Sequence, residues 1–243
     1  MPKYDFGLSQ PLMNAAGSLG FAPERRAAVD WSRFGAFVTN PISLGPRSPA
    51  QGTRCAFYPG GFLLHTGYPN PGLSAVLRRF SEAWRRSPLP VIVHLLGQSA
   101  EEAAAAVRRL EGLEGVIGIE LGLPPRTNAT AAQEFVAAAA GELQLIVRLP
   151  LEQALELAPV VTAAGAAAVS LGAPRGALPA PDGRMIEGRL YGPAVFPLAL
   201  HVVRELAGGM VIGGGGVYEE EQIQAMLEAG AAAVQVDAAL WKV

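Results

Sequence analysis

Apolar positions along this chain come in short unbroken runs, and helical spacing fills most of the gaps between them. Strands are expected over residues 12–16, 36–39, 91–95, 116–121, 143–149, 167–171, 210–212 and 233–236. Helices are expected over 23–34, 73–86, 100–111, 131–140, 151–164, 193–207 and 219–229. Two of them carry capping-box spacing, Ser99-x-x-Glu102 and Thr130-x-x-Gln133. Residues 4–10 are short and mixed, and read as a strand or hairpin outside the main sheet. Runs that are apolar on both faces suit a parallel sheet covered on both sides.

One junction recurs. AGAAAVSLG (164–172) and AGAAAVQVD (229–237) are near copies, and EGVIGIELG (114–122) is a looser third. Each is a helix end, a glycine and a buried strand, which implies parallel strands joined by right-handed crossovers. Eight strands and seven helices predict a TIM (β/α)8 barrel in one domain, residues 1–243, lacking the final helix. A doubly wound open sheet is the second choice, but its glycine loop follows the first strand. Here four glycines, Gly213 to Gly216, follow the seventh and open onto a helix at Tyr218–Glu221. Bare N–H groups beside a helix N-terminus suit a phosphate, although glycines also simply turn a chain.

Composition narrows the class. No apolar run reaches the ~20 residues of a membrane span, and the N-terminus has no signal-like apolar region, so cytoplasm is expected. The single cysteine, Cys55, excludes an internal disulfide or a cysteine metal cluster. A net charge of −2 without a basic block argues against nucleic acid as partner. No His, Asp and Glu set has metal-ligand spacing, so no metal is expected.

The segments PLMNAAGSLGF (11–21), GAFVTNPISLGPR (35–47), PGGFLLHTGYPNPG (59–72), RLYGPAVFPLAL (189–200), VIGGGGV and AAAVQVDAAL carry a resemblance. In that order the chain resembles the dihydroorotate dehydrogenase family, class 1 in particular, the FMN-dependent barrels of pyrimidine biosynthesis. The resemblance implies FMN against Ala15, Ala16 and Gly17. It places the flavin phosphate on Gly213, Gly215, Gly216 and the turn Asp237-Ala238. Thr39, Asn40, His94, Arg148 and Gly192 would complete the cofactor site, with Asn14 and Asn70 toward substrate.

Several matched positions differ from the family's motifs. Asn40 follows Val38-Thr39 where the family has the lysine of VTK. His94 stands for a strand-three asparagine, Arg148 for the strand-five lysine, and Ala173 for an asparagine after strand six. Glu120-Leu121-Gly122-Leu123-Pro124-Pro125 replaces LNxSCPN, so the cysteine base is absent. Arginine is not a neutral exchange for lysine, and Asp237 sets a carboxylate beside the expected phosphate. His94 and His65 are the remaining acid–base candidates; a rim-loop histidine is otherwise solvated, and His201 reads as surface.

Three functions follow: a flavin oxidoreductase with a remodelled site, a non-catalytic binding or assembly barrel, or a barrel holding another phosphorylated metabolite. Weak FMN binding and dihydroorotate oxidation slowed by the missing cysteine base are expected of this chain. The absent eighth helix would strand Leu240 and Trp241, which predicts a homodimer or a partner subunit over that gap.

Overall fold

The computed structural model describes residues 7–23 and 29–242. Its elements run β1 (Leu12–Asn14), β2 (Phe37–Val38), β3 (Cys55–Tyr58), β4 (Gly61–Leu64), α1 (Leu73–Arg85), β5 (Val91–Leu96), α2 (Ala100–Arg108), β6 (Val116–Gly122) and α3 (Ala129–Ala139). Then follow β7 (Gln144–Pro150), α4 (Ala154–Ala163), β8 (Ala168–Gly172), β9 (Arg175–Pro179), β10 (Met185–Tyr191), α5 (Phe196–Glu205), β11 (Val211–Gly214), α6 (Glu220–Glu228) and β12 (Ala233–Val236).

Eight parallel strands line up as β1-β12-β11-β8-β7-β6-β5-β2. The two ends meet through the parallel bridge Met13↔Ala36 and the Gly35 N–H donated to the Leu12 carbonyl at 2.8 Å, which closes a TIM barrel. Every expected barrel strand is present within one or two residues. Their runs are apolar throughout because both faces are covered: Phe37, Ile119 and Val147 pack outward with Trp84 of α1, while Met13, Val38, Ile92, Ile146 and Ile212 fill the interior.

Asn14 seals the closure. Its amide donates to the Val38 carbonyl at 2.7 Å and its Oδ1 accepts the Val38 N–H at 2.9 Å, so one side chain does the work of a ladder pair.

Three expectations are corrected. Thr130 does not cap its helix: α3 starts earlier, and Asn128 accepts the Ala131 N–H as its cap. Of the helix expected over 23–34, residues 24–28 lie outside the described residues; beyond them only a 3-10 turn, Trp31–Arg33, forms behind an Asp30 cap. Of the strand or hairpin expected over 4–10, residues 4–6 lie outside the described residues, and 7–10 form no strand.

Residues 41–72 and 172–192, both rich in glycine and proline, are more ordered than their composition implies. They meet in a four-stranded antiparallel sheet, β3-β4-β10-β9, standing on the C-terminal rim. Cys55 lies on this sheet, exposed, opposite Leu64.

After β12 the chain makes a 3-10 turn, Ala238–Lys242. It carries Trp241 back to the rim, 5.4 Å from the Tyr191 ring and 6.0 Å from Phe62. Trp241 is 39% exposed and Leu240 packs against the core, so both residues expected at the bare surface are partly covered by their own chain.

Candidate functional site

The barrel interior is layered, and a period of two along each strand places the site. Ile92, Ile146, Ala168 and Ala233 belong to the apolar cluster inside the barrel, and Gly118 precedes Glu120 by two residues on β6. Two residues further toward the C-terminal rim stand His94, Glu120, Arg148, Ser170 and Gln235. An apolar floor thus carries a polar layer of five side chains.

Glu120 is the centre of that layer and is wholly buried. One carboxylate oxygen accepts from Ser170 Oγ at 2.6 Å and Gln235 Nε2 at 2.7 Å; the other meets His94 Nδ1 at 2.6 Å. Arg148 Nη1 lies 3.4 Å away and donates to Gln235 Oε1 at 2.6 Å. Burial alone would push the Glu120 carboxyl up, but the Arg148 charge and the His94 and Ser170 hydrogen bonds outweigh it and hold the group ionised. Burial lowers the His94 pKa, only partly opposed by Glu120, so the imidazole is neutral at neutral pH. With the carboxylate ionised, Nδ1 carries the proton and Nε2 is the acceptor. A carboxylate-oriented imidazole is a competent proton acceptor at Nε2.

Glycines make room for this layer. A Cβ at position 122 would sit 3.0 Å from His94 Nε2, and one at 172 would sit 3.3 Å from Arg148 Nε. Gly122, which replaces a motif residue of the family, therefore has a steric reason of its own.

The other singled-out residues are distributed as follows. Asn14 is used in barrel closure. Thr39 Oγ1 accepts the His94 N–H at 3.0 Å. Asn40 exchanges hydrogen bonds with the Gly20 backbone. Asn70 is buried, accepting the Ser43 and Gly72 N–H groups and donating to the Tyr68 carbonyl, and so pins the rim loop. The Ala15 N–H pairs with the Val236 carbonyl. Ala16, Gly17 and Asn40 line a rim cavity of about 200 Å3 with Tyr68, Tyr191 and Trp241. His65 is exposed on the wall of an adjoining, larger cavity that shares Leu64, Thr66, Tyr68 and Arg189 with the first, and His201 is a surface residue 4.0 Å from Glu205. No group of three or more His, Cys, Asp or Glu among the described residues could hold a metal.

FMN would present two ends to this site, a phosphate and a ring. Gly213 to Gly216 are buried, with Gly215 and Gly216 at φ 108° and 70°. A Cβ at 216 would sit 2.4 Å from the Phe196 nitrogen, so the loop rests directly on the start of α5. Gly192 is equally tight, 2.2 Å from the Gly60 carbonyl oxygen by the same measure. Asp237 is buried, and its carboxylate accepts the N–H of Ala238, a donor that the expected phosphate would use. Burial raises the Asp237 pKa, opposed by that N–H and by Arg148. At the ring end, Arg148 is already committed to Glu120 and Gln235, so this cation is not free to support a flavin ring. The residues present do not fit a bound FMN.

Ser170 and Gln235 were not singled out from the sequence. The signal was there: Glu120, Ser170 and Gln235 occupy the same place in the three junction copies, EGVIGIELG, AGAAAVSLG and AGAAAVQVD. A polar residue recurring at one position of an otherwise apolar strand marks one level of the barrel.

Comparison with known proteins agrees with the fold. Residues 4–149 match the dihydroorotate dehydrogenase family. The catalytic subunit of dihydroorotate dehydrogenase B (NAD(+)) from Trichlorobacter lovleyi is 32% identical over 261 residues, covering 96% of this chain and 84% of the relative. Dihydroorotate dehydrogenase A (fumarate) from Lacticaseibacillus paracasei is 29% identical, covering 96% and 89%. The ferulenol complex of the Eimeria tenella dihydroorotate dehydrogenase superposes with TM-score 0.76 at 16% identity, over 95% of this chain and 76% of that one. The chain belongs to the dihydroorotate dehydrogenase family.

Proposed function

We propose that this protein is a dihydroorotate dehydrogenase-like barrel with a remodelled centre, which binds a small molecule without a resident flavin. The observation that carries the reading is the Glu120 network. In an FMN enzyme of this type the flavin supplies the hydride acceptor, and a cation near its ring would be free to support it. Here Arg148 is bound to Glu120 and Gln235, and the Asp237 carboxylate holds the Ala238 N–H. The pieces of chain at the expected ring and phosphate positions are engaged with one another.

A second reading, a flavin oxidoreductase acting on another substrate, is favoured by one observation. Ala16, Gly17 and Asn40 share a rim cavity, as the resemblance implies. Titration with FMN separates the two. The expected result is a colourless purified protein with at most weak FMN affinity; a resident yellow flavin or nanomolar binding defeats the first reading. With FMN added, dihydroorotate oxidation measured with an artificial acceptor should be at least ~100-fold slower than general-base catalysis allows. Ordinary turnover would instead assign the base to His94 Nε2 or His65.

Cytoplasmic residence is part of the proposal; among the described residues no helix is long and apolar enough to cross a membrane. So is a homodimer or partner contact. Leu12, Phe34, Val217, Val236 and Leu240 line a groove of about 260 Å3 beside α6 on the outside of the barrel, where a further helix would lie. Light scattering at micromolar concentration should give twice the chain mass; a clean monomer would remove the contact from the proposal.

A further inference from the structure

A concentration of positive charge lies on the rim beside the Glu120 layer, where Gly122 borders both His94 and the cavity wall. A cavity of about 440 Å3 opens between the rim sheet and the ends of β5 and β6. Arg47, Arg175 and Arg189 line it, with His65 and Tyr68 between them. Arg175 and Arg189 are direct partners across the antiparallel pair β9–β10. Like charges placed opposite one another in a sheet are destabilising.

Little among the described residues relieves this. No carboxylate among them lies within 4.0 Å of the guanidinium groups of Arg47, Arg175 or Arg189, although Glu152 accepts the backbone N–H of Arg175 at 3.3 Å and, with Glu187, supports its charge. The one acidic side chain on the wall, Glu187, lies 4.0 Å from Arg126 instead. Arg189 stacks 4.3 Å above the Tyr68 ring, and Arg47 Nε donates to the Gly67 carbonyl at 3.2 Å. Both contacts fix a guanidinium in place without neutralising it. Burial lowers the Arg175 pKa, and the Arg189 charge lowers it further.

The facing wall is different in kind. It is built from Leu96, Gly97 and the turn from Gly122 to Pro125, which offer apolar surface and little charge. One side therefore suits an anionic head and the other a compact body.

We propose that this rim cavity is a binding site for a small organic dianion, gripped by Arg175 and Arg189 with Arg47 at its edge. Guanidinium groups bind carboxylate and phosphate oxygens through paired, charge-assisted hydrogen bonds. A dicarboxylate and a phosphate monoester share that chemistry. The inference deepens the small-molecule-binding reading by naming a ligand class, but its test is separate: Arg175 lines this cavity and not the one beside Ala16 and Gly17, so a response to Arg175→Gln reports this site alone.

The full-length protein is titrated calorimetrically with malonate and with inorganic phosphate at matched ionic strength, and with neutral malonamide. Saturable one-to-one binding of malonate, phosphate or both is expected, and none of malonamide. Malonate alone would identify a carboxylate ligand, phosphate alone a phosphorylated one. Arg175→Gln and Arg189→Gln should each weaken binding at least ~10-fold, about 1.4 kcal/mol. Arg126→Gln, which lies outside this wall, should leave it unchanged. Because repulsion is removed, Arg189→Gln should melt no lower than the parent protein. Absence of saturable binding by ~10 mM of either anion would overturn the proposal, as would equal weakening by Arg126→Gln or a lower melting temperature for Arg189→Gln.

Discussion

Replacing Glu120 by glutamine should lower the unfolding free energy by roughly 3–5 kcal/mol, the range for a buried ion pair deprived of one partner. Glutamine keeps the volume and one oxygen, so the loss isolates charge. Arg148 would remain inside the barrel with Gln235 as its hydrogen-bond partner and the more distant Asp237 as its remaining opposite charge. The companion variant Glu120→Gln/Arg148→Met removes both charges and should lose less than Glu120→Gln alone, because an apolar pair of similar volume is tolerated where a single buried charge is not. Urea unfolding of both variants measures the difference, and a double variant less stable than the single one would refute the argument.

The pH dependence has a definite sign. His94 is lowered in the folded state, so its contribution is present above its unfolded value near ~6.5 and is lost as pH falls below it. Glu120 is also lowered, and adds a second loss as pH falls below its unfolded value near ~4.3. Asp237 is raised and acts oppositely, its ionisation opposing the fold as pH climbs past its unfolded value near ~3.9. Stability should therefore decline from neutral pH into acid. In Glu120→Gln the lower of the two losses should vanish.

The second large effect is expected at Gly216. Alanine there must adopt φ near 70° and bring its Cβ to 2.4 Å from the Phe196 nitrogen and 2.9 Å from the Gly192 oxygen. Left-handed backbone costs a non-glycine residue roughly 1–2 kcal/mol, and overpacking adds about 1–3 kcal/mol. A loss of about 3 kcal/mol or more is expected in urea unfolding. Gly214→Ala is the comparison, since its Cβ would meet neighbours at 3.3–3.5 Å with no left-handed backbone. Equal losses at 214 and 216 would mean that the loop is not anchored through Phe196. The glycines read as a phosphate cradle thus have a structural duty, seating the loop on α5.

The barrel was legible because its signal is strong and repeated. Continuous apolar runs such as Val91–Leu96 and the AGAAAV junctions allow few alternatives to parallel strands. The rim sheet was not legible, for a physical reason. β3 alternates exposed and half-buried positions, β4 begins at a glycine, and each is only four residues long. β3 and β4 do form a local hairpin, but the pairing of β4 with β10 joins segments far apart along the chain, beyond any local pattern. The polar layer was half legible. His94 and Arg148 were singled out because they stand at matched family positions, but Glu120 was read as a lost motif residue. The cost of an unpaired carboxylate inside a strand was itself the clue that partners must exist. Asn14 and Asn70 were expected near substrate; their side chains are occupied with the Val38 backbone and with Ser43, Gly72 and Tyr68.

The rim sheet also dictates an order of events during folding. Tyr58 and Tyr191, joined across it by a hydrogen bond, are 133 residues apart in sequence. Bringing β4 and β10 together in an otherwise unstructured chain would close a loop of that length for a few short ladder bonds. Once β5 to β8 have assembled, the same two segments emerge from one end of a finished barrel and the remaining search is short. The walls that carry Arg175 and Arg189 therefore form after the barrel that supports them. In the native ensemble the dependence runs in one direction only: the rim can open while the barrel persists, whereas the rim has no independent existence once the barrel is lost.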